Sequence, residues 1–534
     1  MSDSTTPFYF HDRLVFKKPE DHVDLKLLDN SRTLIHSGKL FDRLENDSQV
    51  LVLLFDHYMV TAQQDTYQVI RRPILLDLLT IVRSSGPPAP PAERTRSKGF
   101  FRNLVRKPVE ASDAGDISRM LYPLSLLSHA GNNFTLYAGS SEARTLWTQK
   151  IEQALEWRRA FRDANQVFHL KTLNAKTFTA PLQAKSPVPY LSCLLTVIIL
   201  SRSDAPRVCG SAIGTDPDSY RRVLNIKGVT QCAMLEEFGV FLALADKSLS
   251  AYHINSLVPG ESFGAQKISG KVDVEHFSVG RQAGRTFVLY MKKRGWDSVF
   301  RVLEPVPANI KQAAMAKASP GPGWHGWFRE YREFFAMQKV YGSILFGMRA
   351  DVPSAGTLCT AGIELVELSD VSTTTVPRLE NAPAALKKRC KASRPMGMFK
   401  AGGGEFLVCY DGFGMYIDKE GKPSARSAPI VEWEGPAECV AFQRPYVFIF
   451  NTSFIEIRDV ATGHLVQIIP CAGVRCTWDG RGVEPGPGRE GQGRVHAVID
   501  EVGGVGVGEV RSSKMVMQRV VELAPSAHLH PPSK

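Results

Sequence analysis

The feature that most constrains this chain is a unit that recurs in its last two thirds. From about Val167 onward the sequence repeats a strand, a tight turn, a strongly apolar strand, a turn and a more amphipathic strand. The apolar members are the runs VFLALA, TFVLYM, EFLVCY and YVFIFN. A run that is apolar at every position is typical of a strand covered on both faces. Repeats of roughly 40–50 residues built in this way predict the blades of a β-propeller.

One of these units begins with two acids, Glu236 and Glu237, just before an apolar run. Paired carboxylates are a common arrangement for acid–base catalysis. Adjacent residues on a strand point to opposite faces, however, so these two carboxylates cannot act together on one face. We interpret both as turn or surface residues of a blade.

Two other short motifs resemble catalytic signatures without their structural context. The segment GESFG (260–264) fits the nucleophile elbow, which needs a strand before Ser262 and a helix after it. Its flanks, SLVP and AQKISGK, favour a loop, so we interpret the match as chance. The segment AGGGEF (401–406) lacks the spacing and the lysine of a phosphate-binding loop and predicts a turn between two strands.

The first part of the chain predicts a different domain, in which short strands are closed by one amphipathic helix. The helix is SSEARTLWTQKIEQALEWRRAF, and Ser141 is its expected N-cap. An apolar stripe recurs along it at intervals of four residues; its members are Ala143, Trp147, Ile151 and Leu155. We expect Trp147 to pack over the open end of a strand barrel, as a structural residue.

A basic insert rich in Pro, Gly and Ser, residues 83–116, interrupts this domain. Aromatic and aliphatic side chains alternate there with cations, among which we select Lys98, Arg102, Arg106 and Lys107 as candidates for lipid binding. Such a segment can lie on an anionic bilayer, where each cation contributes about 1 kcal/mol. The alternative is a loop whose charge is incidental.

Two further cations, Lys39 and Arg43, lie near the first strand turn and could contact a phosphoinositide headgroup. Three neighbouring acids argue against this role because they would repel phosphate; they are Asp42, Glu45 and Asp47.

The overall composition fits these interpretations. The formal net charge of +11 suits an anionic partner, and we expect lipid rather than nucleic acid. The nine cysteines include no Cys-x-x-Cys pair, which favours buried thiols in a reducing compartment and no metal or other cofactor.

The chain does not open with a signal peptide, and its most apolar run is about half of the ~20 residues that a membrane span needs. We therefore expect a cytoplasmic protein that is peripheral at the plasma membrane or cell cortex.

Several segments resemble one family. RTLIHSGKL, VLLFDHYMVTAQQ and YQVIRRPILLDLL are similar to the pleckstrin-homology domain of fungal Rho guanine nucleotide exchange factors. GVTQCAMLEEFGVFLALADKSLSAYHI, GEFLVCYDGFGMYIDKEG and AECVAFQRPYVFIFNTSFIEIRDVATGHLVQII are similar to their citron-homology (CNH) domain. The resemblance implies a mainly β chain: a junction over 1–28, a pleckstrin-homology barrel with a C-terminal helix over 29–162, a seven-bladed propeller over 167–525, and a tail over 526–534.

The resemblance also implies a function. It suggests a regulatory and scaffolding protein of Rho signalling, with a Rho-type or related small GTPase, anionic lipids or phosphoinositides, and other signalling proteins as partners. In that family a helical Dbl-homology domain carries exchange catalysis and precedes the barrel, whereas only FYFHDRLVFKKPEDHVDLKLLD precedes it here. We therefore expect no enzymatic activity and no catalytic residues. The alternatives are a truncated form of a complete exchange factor and, third, an enzyme built on the propeller.

Overall fold

The computed structural model divides the chain into two compact units, Met1–Asn165 and Gln166–Lys534. No helix in the described part is long and apolar enough to cross a membrane. The described residues are 6–43, 49–82, 121–131, 133–173, 178–179, 182–190, 195–202, 207–212, 221–224, 226, 228–257, 265–270, 272–294, 297–306, 324–325, 327–336, 340–346, 348–349, 352–479, 495–501 and 517–526.

The first unit is built on one antiparallel sheet of seven strands, in the order β4-β3-β2-β1-β7-β6-β5. A short helix, α1 (Phe8–His11), precedes the sheet, and a long one, α2 (Ser141–Ala164), follows it. The strands are β1 Leu34–Phe41, β2 Gln49–Phe55, β3 Tyr58–Gln63, β4 Ile74–Leu75, β5 Leu79–Ile81, β6 Tyr122–Ser128 and β7 Asn133–Ala138.

Helix α2 closes this sheet with the face that the apolar stripe predicts. Trp147 is 3% exposed and lies in the barrel core, where its ring is 4.5 Å from that of His36. A Cβ built on Gly38 would stand 3.3 Å from the same ring, so the strand passes close beneath it. The expected cap was wrong by one residue. Ser140 is the N-cap, and its hydroxyl accepts a hydrogen bond from the backbone N–H of Ala143 at 3.1 Å.

The segment that we expected to be only a junction packs against the barrel. Four of its side chains are buried; they are Phe10, Val23, Leu25 and Leu27. A ring nitrogen of His57 contacts the carbonyl oxygen of Leu25 at 2.7 Å. Residues 6–28 therefore belong to the first compact unit.

The second unit contains seven antiparallel sheets in its described part, preceded by β8 (Phe168–Thr172) and β9 (Phe178–Thr179). Sheet 1 is β10 Leu182–Tyr190, β11 Leu195–Arg202, β12 Arg207–Ala212 and β13 Arg221–Leu224; sheet 2 is β14 Val229–Leu235, β15 Val240–Ala245, β16 Ser248–His253 and β17 Gln266–Lys267; sheet 3 is β18 Val274–Gln282, β19 Arg285–Arg294, β20 Asp297–Pro305, β21 Trp324–His325 and β22 Phe328–Ala336.

The remaining four sheets follow in chain order, and one short helix, α3 (Ala384–Ala392), lies between sheets 4 and 5. Sheet 4 is β23 Val340–Ile344, β24 Ser354–Cys359, β25 Gly362–Glu367 and β26 Thr373–Val376; sheet 5 is β27 Pro395–Gly402, β28 Glu405–Tyr410, β29 Phe413–Ile417 and β30 Ile430–Glu432; sheet 6 is β31 Cys439–Gln443, β32 Tyr446–Asn451, β33 Phe454–Asp459 and β34 Leu465–Pro470; sheet 7 is β35 Ala472–Trp478, β36 Val495–Glu501 and β37 Met517–Pro525, completed by β8.

These sheets form a closed ring. The first strand of each sheet contacts the first strand of the next, from β10 round to β35 and back to β10. The four apolar runs all lie in the second strand of their sheets, as expected for strands covered on both faces. The mainly β fold class, with a barrel and a propeller, is therefore confirmed. The described part of the ring contains seven sheets, and the resemblance implies seven blades. Sheet 1 is described by its backbone, and the other six sheets are described with most of their side chains.

Candidate interaction surfaces

Of the sequence features that first suggested chemistry, the structure describes the Glu237 side chain and the glycine-rich motif. Glu237 lies in the turn Glu236–Phe238, where its exposed carboxylate accepts a hydrogen bond from Arg281 at 2.8 Å. The AGGGEF segment is a tight turn between β27 and β28, as predicted. Ser262 lies outside the described residues. Across the described ranges, no three His, Cys, Asp or Glu side chains are grouped so that they could hold a metal ion.

One corner of the first unit places the end of β1 near β6, the strand that follows the basic insert in the sequence. Phe41, the last residue of β1, pairs both with Gln49 and with Tyr137 of β7, and Tyr137 also pairs with Pro123 of β6. Phe41 and Gln49, which flank the connection 42–48, therefore lie near Tyr122, where β6 begins after the basic insert. Because neighbouring strands are about 4.8 Å apart, Phe41 and Pro123 are separated by about 10 Å.

Lys39 and Arg43 stand at this corner with their side chains exposed. The neighbouring acid Asp42 forms an ion pair with Arg71, whose guanidinium also covers the ring of Phe134 at 4.6 Å. The charge of Asp42 is thus largely balanced within the protein, which weakens one of the objections to phosphate binding here. The other candidate residues lie outside the described part of the chain, as do two of the objecting acids; they are Lys98, Arg102, Arg106, Lys107, Glu45 and Asp47.

The propeller contains a buried ionic network that sequence reasoning missed. On β33, Arg458 donates to the carboxylate of Glu456, and it reaches across to sheet 5 by donating to the carbonyl of Glu432 at 3.0 Å. Glu456 is fully buried, and burial raises its pKa even though Arg458 opposes that effect. The second carboxylate oxygen of Glu456 accepts the backbone N–H of Glu434 at 2.8 Å. The network joins neighbouring blades and makes this part of the ring a rigid support.

A second set of charges forms a partly exposed ladder across sheet 3. Arg285 donates two hydrogen bonds of 2.8 Å to Glu304, and Arg329 contacts the same carboxylate from β22. The hydrogen bond from Arg285 is the main reason why the pKa of Glu304 is lowered to about 2. Further along, Arg301 bonds Glu330 and Glu333. The charges largely compensate each other, so this face offers no strong net attraction for a partner.

A cleft of about 310 Å³ opens between sheets 3 and 4. Both sheets line it, and its polar groups come from the strands of sheet 4. The lining residues are Phe334, Phe335, Ala336, Thr357, Glu364, Val366 and Thr373. No sequence motif marked this cleft, because its residues come from four strands.

Comparisons with known proteins agree with the fold. The family model of the CNH domain matches residues 200–480. The Rho1 guanine nucleotide exchange factor 1 of Schizosaccharomyces pombe is 27% identical over 505 residues, which cover 89% of this chain and 36% of that protein. The Rho1 guanine nucleotide exchange factor 2 of the same organism is 23% identical over 87% of this chain and 40% of its own length. The resemblance drawn from the sequence is therefore confirmed, and the chain spans two fifths or less of these relatives.

A solved structure supports the architecture of the second unit. The structure of the AfRom2 CNH domain aligns with a TM-score of 0.51 at 21% identity and covers 67% of this chain and 99% of its own. At this identity the likeness concerns the fold.

Proposed function

Because the chain belongs to the CNH domain family, we propose that it is a regulatory and scaffolding protein of Rho-type GTPase signalling. The observation that carries this proposal is the alignment with Rho1 guanine nucleotide exchange factors over 89% of the chain, which extends across both compact units. The limits 29–162 for the first domain and 167–525 for the propeller are part of the proposal.

The second unit is the proposed docking module. A closed ring is rigid, and its connecting loops lie on two broad faces, which suit a protein partner better than a small substrate. The inter-blade network around Arg458 supports this rigidity. A Rho-type or related small GTPase is the first candidate partner, and other signalling proteins are further candidates.

The direct test is calorimetric titration of the full chain with a Rho1-type GTPase that carries GDP, a non-hydrolysable GTP analogue or no nucleotide. We expect saturable binding to at least one of these forms, and none to a Ras-type GTPase used as the specificity control. Absence of binding to all three Rho1 forms would refute this partner.

Exchange catalysis is the second candidate function, because the relatives are named for it. Catalysis would need a surface that displaces Mg²⁺ and opens the switch loops of the GTPase, which the family resemblance places on a helical domain. In the described part of this chain only α2 exceeds nine residues. We therefore propose that the chain alone leaves the release of a fluorescent nucleotide from Rho1 at its basal rate. Strong acceleration would favour the second candidate.

We also propose that the first unit binds anionic membranes through Lys39, Arg43 and the basic insert, which would place the protein at the plasma membrane or cell cortex. The support is the corner where the end of β1, with Lys39 and Arg43, lies near the start of β6, the strand that follows the insert. Attraction between these cations and anionic lipid is screened by salt.

Co-sedimentation with phosphatidylserine and phosphoinositide vesicles tests this membrane role. Replacing Lys39 and Arg43 with Ala, or Lys98, Arg102, Arg106 and Lys107 with Ala, should weaken binding at low ionic strength. The matched control is Ala at Lys388 and Lys391, two exposed lysines of α3. An equal effect of the control and either test variant would show that only total charge matters.

A further inference from the structure

We propose that the exposed side of helix α3 (Ala384–Ala392) is a docking surface for an acidic face of the protein partner. The proposal rests on the proposed function and deepens it, because it locates the docking site on the second unit. Three features support it: the length of the connection that carries α3, the anchoring of α3 on the ring, and the charge of the side that α3 turns to solvent.

The connection that carries α3 is longer than two comparable connections of the ring. It runs from β26, the outer strand of sheet 4, to β27, the first strand of sheet 5, and comprises residues 377–394. The corresponding connections 268–273 and 433–438 are one third as long. Connections in compact domains have a median length of about 4–6 residues, and the loops of a rigid scaffold commonly carry its binding residues. The additional residues here form a helix, which is more than the passage from one sheet to the next requires.

One side of α3 is fixed to the sheets behind it. Cys390 is 6% exposed and belongs to the core cluster that joins sheets 4 and 5, and Leu386 packs against the same cluster. Arg389 donates two hydrogen bonds of 2.6 Å to the carboxylate of Glu432 on β30, and its guanidinium covers the ring of Phe413 at 4.0 Å. These contacts hold the helix in place, so binding to it requires little further ordering of the chain.

The other side of α3 carries positive charge that the protein does not balance. Four of the nine residues of the helix are cations and none is an acid, and of these cations Arg389 is paired as described above. Lys387 donates to the backbone carbonyl of Glu380 at 2.6 Å, a contact that involves no carboxylate. Lys388 and Lys391 are exposed, and neither forms an ion pair within the part of the chain that the structure describes. The exposed side of the helix therefore attracts an anionic partner.

The remaining residues of this side favour a protein partner over a lipid bilayer. They are alanines, whose small side chains allow a partner surface to approach the helix backbone closely; their positions are Ala384, Ala385 and Ala392. Helices that lie in a bilayer insert large apolar side chains such as Trp, Phe and Leu, whereas the one leucine of α3 packs against the core. An acidic protein surface is complementary to such a helix, since opposite charges across an interface raise the rate of encounter and select the partner.

The test measures the affinity and the association rate of the full chain with the Rho1-type GTPase form that binds it. Replacing both Lys388 and Lys391 with Glu should weaken binding by about tenfold, because two attractive contacts between exposed ions become repulsive. The association rate should also become less sensitive to salt. Replacing both with Ala, a good helix former, should weaken binding by about threefold and decides the matter if the Glu variant does not fold. The matched control is Glu at Lys17 and Lys18, two exposed lysines of the first unit, which should change the affinity by less than about twofold.

A second readout does not depend on the GTPase. A polyglutamate peptide is coupled to the full chain with a carbodiimide, which joins a carboxylate directly to an amine that it contacts, and the coupled lysines are mapped by mass spectrometry. We expect more coupling at Lys388 and Lys391 than at Lys17 and Lys18.

Each outcome is decisive. A GTPase affinity that is the same in the native chain and in the variants at Lys388 and Lys391 would overturn the proposal and leave the proposed function standing. An equal loss in the variant at Lys17 and Lys18 would assign the effect to total charge and also overturn the proposal. If no form of the GTPase binds, that partner is refuted and the coupling decides: preferential coupling supports the docking surface, and equal coupling overturns it. Weaker binding to phosphatidylserine vesicles, with GTPase binding unchanged, would identify the exposed side of α3 as a membrane surface and overturn the proposal.

Discussion

The side-chain amide of Gln467 holds the backbone of Phe168, although the two residues are 299 positions apart in the sequence. Its Oε1 accepts the N–H groups of Phe168 and Val167 at 2.8 and 2.9 Å, and its Nε2 donates to the carbonyl of Phe168 at 2.8 Å. Gln467 belongs to β34 of sheet 6, whereas Phe168 begins β8, the outermost strand of sheet 7. One buried side chain thus fastens the start of the propeller to a neighbouring blade.

Replacing Gln467 with Leu should lower the free energy of unfolding by about 2–3 kcal/mol. The substitution leaves two backbone donors and one acceptor without their partners in a buried place, and each unsatisfied group costs about 1–3 kcal/mol before the structure relaxes. Denaturant unfolding measures the loss. Gln149→Leu, at an exposed position of α2, is the control and should change stability by less than about 0.5 kcal/mol. Equal effects of the two substitutions would contradict the stabilising role of the Gln467 hydrogen bonds.

Asp56 should give the first unit a stability that depends on acidic pH. Burial alone would raise its pKa, but the contacts of its carboxylate with His57, the backbone of Thr33 and Arg32 outweigh burial and lower the pKa from 3.8 to about 2. As the pH falls, the Asp56 carboxylate is therefore protonated in the unfolded chain at a higher pH than in the folded chain. The contribution is fully present above pH 3.8 and is lost as the pH falls through about 2.

The expected size of this contribution is on the order of 2 kcal/mol. It can be measured by following the unfolding transition of the first unit between pH 5 and pH 2 in the native chain and in Asp56→Asn. The two free energies should converge as the pH falls, because the variant has no proton to gain at this position. Parallel curves across that range would show that Asp56 does not couple to folding.

Gly362 should tolerate alanine far less well than Gly402, although both have positive φ. Their φ values are 127° and 96°, so a side chain is strained at either position, by roughly 1–2 kcal/mol. Only at Gly362 would the new Cβ also meet backbone, at 2.6 Å from the carbonyl oxygen of Val376, whereas nothing lies within 4 Å of the corresponding atom at Gly402. Thermal unfolding of the two variants should rank Gly362→Ala clearly lower. Equal melting temperatures would mean that the strand carrying Val376 yields freely.

The sequence predicts best those elements whose pattern is local. A continuous apolar run can only be stable when both faces are covered, so VFLALA and YVFIFN identified the second strands of two sheets correctly. The stripe on α2 likewise predicted which face is buried. The N-cap was misplaced because Ser140 and Ser141 are adjacent and chemically equivalent, and only the backbone conformation selects between them.

Features that depend on distant parts of the chain could not be predicted in this way. Gln467 looks like an ordinary polar residue until the ring brings β8 beside it. The burial of the Glu456 carboxylate could not be predicted either: Arg458 is near it on the same strand, but the backbone N–H of Glu434, its other partner, is 22 positions away in the sequence. The cleft beside Glu364 could not be predicted from the sequence either, because its lining residues come from four separate strands.

The last prediction concerns the strand that closes the ring. β37 pairs with β36 on one side and, on the other, with β8 from the start of the propeller. Its Val520, Val521 and Leu523 are at most 1% exposed. Burying three such side chains contributes about 5–9 kcal/mol, which is comparable to the whole net stability of a typical domain.

Deleting residues 514–534 should therefore unfold sheet 7, expose the edges of β36 and β8, and abolish solubility and GTPase binding together. Deleting only 527–534, which follow β37, is the matched control and should leave both intact. A soluble 514–534 deletion that binds the GTPase as the native chain does would separate ring closure from partner binding and refute the closing role of β37.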